Sequence, residues 1–245
     1  MITVSIVVPM YNSEMLIEDC LTSLLGSTMP DYEILVVDDG STDSSKKKLV
    51  PFLQDPRVKL IESLRNQGVA AARNLGIEAA AGRYIAFCDS DDVWEPTKLE
   101  RQLVAMQTED AAVSHTSVYY AKNDEKTLVD AKAHVTLKDM KIRNWIANSS
   151  GVYDTQKVGK IFQCAKRHED YEMWCDALKV GGFSAVVAEP LVTINRREGS
   201  VSGNKIKSLM WHMQAQRRIF GMSHAEIFLR MVQNVVSRRP FRVRR

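Results

Sequence analysis

No stretch of this chain stays apolar for anything near the roughly 18 residues that a membrane-spanning helix needs, so a spanning segment is not expected. The opening residues, MITVSIVVPMYN, carry no basic region ahead of their apolar run and read as a strand, not as a secretory signal. Cysteine is sparse. Cys20, Cys88, Cys164 and Cys175 are scattered with no CxxC pair, which argues against a disulfide framework and reads as reduced thiols in a cytoplasmic protein. In that setting Asn148-Ser149-Ser150, although it fits a glycosylation triplet, is a chance match. There is no GxGxxG after the first strand-like segment and no GxxxxGK[ST] anywhere, which leaves a dinucleotide fold or a P-loop without support. The histidines lack zinc-ligand spacing. Internal repeats and low-complexity segments are absent too.

What is present is an ordinary globular composition. Of 245 residues, 45% are apolar and 26% charged, which is the balance of a soluble domain. A chain of this length buries roughly 70–75% of its unfolded surface in one core. The net charge of +3 is uneven: the last eight residues, RRPFRVRR, hold five arginines, and the remainder is slightly acidic.

Apolar runs alternate with helical periodicity. TVSIVVP (3–9) predicts a buried strand ended by Pro9. Residues 13–25 place Leu16, Ile17, Cys20, Leu21, Leu24 and Leu25 on one helical face, with Ser13 as the expected N-cap. Strands follow at 32–41 and 57–63, separated by a short helix (44–53) that Pro51 should cut. An alanine-rich helix at 66–82 then leads into a fourth strand, GRYIAFCDSDD. Further on, 98–106 and 167–181 read as helices, the latter with Tyr171, Trp174, Cys175 and Leu178 on one face. VSHTSVYYA (113–121) alternates like a strand, KNDEKT (122–127) reads as a solvated turn, and 183–196 as a strand pair or one long strand. This alternation predicts an α/β, Rossmann-like, mostly parallel sheet with helices on both faces. Ligands of such sheets gather at the carboxyl ends of the strands, where Asn12, Asp38, Asp39 and an acidic cluster should share one rim.

That cluster is Asp89-Ser90-Asp91-Asp92, directly after the apolar Tyr84–Cys88. Its carboxylates repel one another, so a cation is expected to offset them. On an extended segment residues two apart face the same way, which would let Asp89 and Asp91 converge on a hard divalent cation, Mn²⁺ or Mg²⁺, completed by a diphosphate. The plainer alternative is that Asp91 or Asp92 caps the next helix. Asp38-Asp39-Gly40-Ser41-Thr42-Asp43 is a second acidic turn, in which Ser41 or Thr42 would serve as a helix cap. Capping does not account for the two acids before it, and a rim carboxylate there can accept a uracil ring N–H. Glu169-Asp170 would, on the plain reading, be helix N-terminal acids favoured by the macrodipole. His168 beside them reads as a surface or packing residue.

VSIVVPMYNSEMLIEDCLTSLL, ILVVDDGSTD, NQGVAAARNLGIEAAAGRYIAFCDSDDVW and HEDYEMW occur in this order. Together they closely resemble glycosyltransferase family 2, of GT-A fold, over about residues 3–203. The resemblance implies inverting transfer of a sugar from a nucleotide-sugar, commonly UDP-linked, with Mn²⁺ or Mg²⁺. It implies that Pro9 and Tyr11 wall the base, that Asp39 reads the uracil, and that Arg73 lies near the nucleotide. Asp89 would hold the ribose side and Asp91 the metal. Asp170 would be the general base beside Glu169, and Arg196 and Ser200 would lie near the diphosphate. An ionised Asp, with its ordinary pKa of about 3.9, suits the removal of an acceptor hydroxyl proton at neutral pH. The chain departs from the family before Glu169: VGKIFQCAKRHED holds only Gly159 and a displaced Phe162 where a Gly-x-Phe-Asp turn is usual. That loop helps to shape the acceptor site, so the resemblance leaves the acceptor open. A saccharide, possibly lipid-linked in polysaccharide or lipopolysaccharide synthesis, is the expectation by analogy.

The expected organisation is a catalytic domain at 1–203, with a nucleotide-sugar half at 1–95 and an acceptor half at 96–203. A helical extension and basic tail follow at 204–245. In the extension Ile206, Leu209, Met210 and Met213 share a face, Ser223 and Glu226 form a capping box, and Ile227, Phe228, Met231, Val232, Val235 and Val236 make a second stripe. The terminal arginines with Phe241 suit an anionic membrane surface, each contributing about 1 kcal/mol there, and would make the protein peripheral on the inner face of the membrane. Nucleic acid is not expected, since no groove-reading motif or aromatic platform accompanies the charge. Two rivals are weighed: a nucleotidyltransferase, which would carry a glycine-rich basic loop where PMYNSEM stands, and a receiver-like module, which would place its acid pair after the first strand.

Overall fold

The computed structural model describes residues 2–123, 125–164, 168–196, 205–223, 225–227 and 229. The elements run β1 (Val4–Met10), α1 (Ile17–Leu25), β2 (Tyr32–Asp38), α2 (Ser45–Leu49), β3 (Val58–Glu62), α3 (Val69–Ala79), β4 (Tyr84–Phe87), β5 (Val93–Trp94) and α4 (Lys98–Thr108). Then come β6 (Val113–Lys122), β7 (Glu125–Val129), β8 (Val135–Thr136), α5 (Leu137–Met140), β9 (Val152–Asp154), α6 (Thr155–Val158), α7 (Glu169–Gly181), β10 (Phe183–Asn195) and α8 (Lys205–Phe220). The strands form one sheet in the order β3-β2-β1-β4-β9-β6-β10-β5, with β7 beside β6 and β8 beside β10.

Parallel pairing holds for the first four strands, β3-β2-β1-β4. Beyond β4 the sheet is mixed: β9, β5, β7 and β8 pair antiparallel, and only β6 and β10 run parallel. The parallel pairs, β6–β10 included, come from strands joined through helices, whereas β6 and β7 form a hairpin that needs no crossover helix.

Alternation along β1 sends Val4, Ile6, Val8 and Met10 into one core layer with Ile17, Leu21 and Leu24 of α1 and Leu99 and Leu103 of α4. Val7 points to the opposite layer with Ile77 of α3, Tyr171 and Trp174 of α7 and Ala215 of α8. Each fully buried aliphatic side chain contributes about 1.5–3 kcal/mol of transfer free energy, so the sheet is held from both faces.

Several local expectations change. Pro9 does not end β1, which runs on to Met10. The Val7 carbonyl accepts from Cys88 N–H, so Pro9, two residues on, faces the side where β4 has already ended and its missing donor costs no ladder bond. Ser13 does not cap α1: the cap position is Leu16, and the Ser13 hydroxyl lies 2.7 Å from that of Ser90. Neither Ser41 nor Thr42 caps α2, whose cap position is Ser44. Residues 125–127 of the expected solvated turn already belong to β7. The 183–196 segment is one long strand with a bulge between Val187 and Pro190. Asn148, Ser149 and Ser150 are all buried, so the triplet is no glycan acceptor. Met210 is exposed, and α8 packs through Ala215, Ile219 and Phe220 instead. The Ser223–Glu226 capping box forms as read.

Candidate active site

The carboxyl ends of β1, β2 and β4 open onto a cleft of about 1210 Å³. Pro9, Tyr11, Asp39, Arg73, Asp89, Asp91, Glu169, Asp170 and Arg196 all line it. Residues up to 187 positions apart in the chain are thus brought to one rim, while Ser200 lies outside the described residues.

Asp39 follows the end of β2 and is buried. Its two carboxylate oxygens accept from Gln67 N–H at 2.9 Å and Gly68 N–H at 2.8 Å. It therefore caps the start of α3 from another element, and each carboxylate oxygen has a second lone pair for a further donor. Gly68 has φ 92° and ψ 159°, a region open essentially to glycine alone. Gly40 sits at φ 75° with the Arg65 and Asn66 backbone 3.0 Å from where a Cβ would stand. Both glycines let the rim close on itself. Asn12 braces the same corner, its side-chain oxygen accepting from Thr42 N–H at 2.9 Å.

The acidic cluster is a turn, not an extended segment: Asp92 N–H donates to the Asp89 carbonyl at 2.9 Å. Asp89 and Asp91 still face one cleft, and the turn brings this about, not strand alternation. Neither Asp91 nor Asp92 caps α4, whose cap position is Thr97. The first cation to meet the cluster comes from the protein. Arg73 Nη2 lies 2.6 Å from Asp89 Oδ1, and Nη1 is 3.1 Å from Gln163 Oε1 and 3.5 Å from Glu169 Oε1. With the Asn148 amide oxygen turned inward, it accepts from Arg73 Nε at 3.2 Å. Arg73 is buried, and through these pairs it ties the acidic turn to the Glu169-Asp170 segment. Asp92 is buried as well, accepting from the Ser149 hydroxyl and from Asn195 N–H at 3.2 Å. Burial first, then the Asp89 and Asp91 charges, hold its carboxyl well above the usual carboxylate range. Asp91 remains half-exposed toward the cleft.

α7 begins at Glu169, which lines the same cleft. His168 precedes it in the left-handed region at φ 64°, a costly conformation for a residue with a Cβ, and it lines the cleft rather than an ordinary surface. Burial, and secondarily the charge of Asp170, raises the Glu169 carboxyl pKa. Asp170 is half-buried, with Asn144 Nδ2 3.4 Å from its Oδ2. Arg196 lies over the Tyr120 ring at 4.0 Å.

Sequence reasoning missed Asn144, Asn148 and Gln163, which position the charged residues, and Arg143, Trp145, Tyr120 and Trp211, which line the cleft. None lies in a motif. Trp211 belongs to α8, so the extension contributes to the cleft as well as packing on α7. Among the described residues no group of three metal-ligating side chains converges. A divalent cation here would thus need diphosphate oxygens and water besides Asp91 and Asp89, which is how Mg²⁺ commonly binds. The donor set fits such an ion.

Residues 5–165 match the family model described as Glycosyl transferase family 2. A Bacillus subtilis protein whose name provisionally assigns it as the teichuronic acid biosynthesis glycosyltransferase TuaG is 31% identical over 96% of this chain and 97% of its own length. The Escherichia coli UDP-Glc:alpha-D-GlcNAc-diphosphoundecaprenol beta-1,3-glucosyltransferase WfaP is 33% identical over 91% of this chain and 89% of its own. The structure of S. aureus TarS 1-349 in complex with UDP-GlcNAc superposes with a TM-score of 0.75 at 20% identity, over 96% of this chain and 72% of that one. The last likeness establishes the GT-A architecture.

Proposed function

The chain belongs to glycosyl transferase family 2, and on that premise we propose that it moves a sugar, with inversion, from a UDP-sugar to a hydroxyl of a lipid-diphosphate-linked saccharide in cell-surface polysaccharide assembly. The observation that carries this reading is the meeting of two halves in one cleft. Tyr11, Asp39, the acidic turn and Glu169-Asp170 all line it, and the reading gives the first three to the nucleotide and the last pair to the acceptor. The relatives' names supply the donor and acceptor classes.

In this reading Tyr11 and Pro9 flank the base, and an Asp39 oxygen accepts the uracil ring N–H. Arg73 keeps Asp89 in place at 2.6 Å, and Arg196 faces the donor diphosphate. The acceptor oxygen attacks the anomeric carbon opposite the diphosphate. As the new C–O bond forms, the sugar–phosphate bond breaks and its electron pair leaves with UDP. The hydroxyl proton passes to Asp170, the general base. Asn144 orients that carboxylate, and the neighbouring Glu169, its pKa raised by burial, shapes the field around it. A bound Mn²⁺ or Mg²⁺ held at Asp91, with Asp89 beside it, would neutralise charge on the leaving diphosphate. The Arg-rich end at 238–245, outside the described residues, would keep the enzyme at an anionic membrane surface near its acceptor.

A UDP-release screen over nucleotide-sugars, with Mn²⁺ or with chelator, tests the reading. Release should need acceptor and metal. Asp170→Asn should lower turnover by about a hundredfold or more, the usual scale for loss of a general base, with UDP binding nearly unchanged. Full activity in chelator would remove the metal from the scheme, and wild-type turnover by Asp170→Asn would remove the base.

A further inference from the structure

We infer that Gln163 is a positioning residue for the transfer: pinned to α3 by Asn74, it holds the Arg73 guanidinium on Asp89 and off the Glu169 carboxylate. This rests on the transfer reading above and deepens it by giving the segment before α7 a part in the chemistry.

Residues 160–163 are strapped along α3. Lys160 Nζ donates to the Glu78 carbonyl at 2.8 Å. One turn earlier on the helix, Asn74 and Gln163 bond both ways. Gln163 N–H donates to Asn74 Oδ1 at 2.7 Å, and Asn74 Nδ2 donates to the Gln163 carbonyl at 2.8 Å. An amide matched to both backbone groups of one residue holds that residue in place and fixes its own orientation. The Gln163 side chain is buried and is set at both ends, with Oε1 3.1 Å from Arg73 Nη1 and Nε2 3.5 Å from Met173 Sδ.

The guanidinium is thereby shared unevenly. Arg73 Nη2 meets Asp89 at 2.6 Å, while Nη1 meets the neutral Gln163 at 3.1 Å and the Glu169 carboxylate only at 3.5 Å. A carboxylate ordinarily draws a guanidinium to about 2.7–2.9 Å, ahead of a neutral amide. Here the order is reversed, because the amide is anchored to the helix that carries Arg73. Glu169 is faced by Asp170 from its own helix, by Arg73 from α3 and by Asp89 from the turn after β4. Closure of Arg73 on Glu169 would carry its charge toward the acid pair, and a nearby cation favours the ionised carboxylate and makes it a poorer base. Gln163 lets one guanidinium serve the donor side without weakening the base.

Two variants break the linkage at different points. Gln163→Met removes the acceptor for Arg73 and keeps the backbone clamp, and Asn74→Ala removes the clamp and keeps the acceptor. With the UDP-sugar and acceptor found by the screen, each should lower kcat tenfold or more and leave the donor KM within twofold. Each should also move the acidic limb of kcat/KM, which reports the base in the free enzyme, to lower pH. The double variant should be no more than twofold worse than the worse single one, because residues of one network are not additive. UDP binding by calorimetry confirms that each variant is folded. Unchanged kcat, a fall in kcat without the shift of the acidic limb, or a rise confined to the donor KM each overturns the assignment. If no nucleotide-sugar is turned over, the transfer reading fails, and crystal structures of wild type and Gln163→Met still decide the contact. Arg73 Nη1 should then close on Glu169 from 3.5 Å to about 2.8 Å, and a guanidinium that stays where it is shows that Gln163 does not hold it.

Discussion

Lys98 is fully buried, its Nζ has no hydrogen-bond partner, and it lies 3.7 Å from the Trp94 ring centroid. The ring's attraction for an ammonium reaches about 2 kcal/mol when desolvated. Burying an ion costs several kcal/mol even after relaxation, so burial wins, and it pulls the Lys98 pKa down to about 7. In the unfolded chain the same amine titrates near 10.4. Between those values the folded state binds fewer protons than the unfolded one, so stability climbs as pH rises through that window. Lys98→Met should remove the climb and raise stability at pH 7 by about 1–4 kcal/mol, the scale found when buried charges are replaced by apolar groups of similar volume. Urea midpoints of both proteins from pH 6 to pH 10 check this; parallel curves would show that the charge is satisfied after all. Nothing in the sequence marked Lys98. It opens a helix like any solvated lysine, and only packing reveals that it points inward.

At the scale of elements, the active rim depends on a helix capped from elsewhere. The cap position of α3 is Gly68, which has no side chain, and Asp39 just past the end of β2 supplies the acceptor. Asp39→Ala should cost about 1–2 kcal/mol, the usual loss for a helix cap, measurable by urea unfolding. It should also weaken UDP binding, whereas substitutions at the exposed Val104 on α4 should do neither. The strands and helices themselves were legible, because β1, β2 and β4 are mostly apolar and buried along their whole length, and α1 repeats its buried positions at helical spacing. Caps were not. Ser13, Ser41 and Thr42 have the right chemistry for capping, but their hydroxyls face partners some thirty to eighty residues away, such as Ser90 and Asn12. The β6–β7 hairpin was partly hidden because Glu125, Lys126 and Thr127 look like loop yet form an edge strand paired to Tyr120, Ala121 and Lys122, where solvent accepts charge.

For the whole molecule, α8 packs on α7, with Arg218 2.9 Å from Glu172 and Gln216 2.8 Å from the Lys141 carbonyl. It also lends Trp211 to the cleft. Among the described residues no helix is long and apolar enough to cross a membrane. If the terminal arginines hold the protein at a membrane surface, truncation after Ser237 should release it from vesicles containing anionic lipid, as should high salt, because each arginine contributes about 1 kcal/mol and the attraction fades within a Debye length. Turnover on a short soluble acceptor should survive, since the cleft is built from residues before Ser237. Continued sedimentation of the truncated protein with vesicles at physiological salt would move the anchor to the stripe beginning at Ile227.

The sequence by itself determined the layered α/β architecture, because periodicity of 2 or 3.6 follows from which face must leave water. It also determined the rim residues that sit in motifs: Tyr11, Asp39, Asp89, Asp91 and Glu169-Asp170 each lie where an apolar strand or a helix begins or ends, and chain geometry carries such positions to one edge. What only the tertiary structure decided is how those charges are apportioned. Arg73 answers Asp89 across 16 positions, and Ser149 and Asn195 answer Asp92 across 57 and 103. Arg196 lies over the Tyr120 ring across 76 positions. Electrostatic partnership falls with distance in space and is blind to distance along the chain, so no local pattern records it.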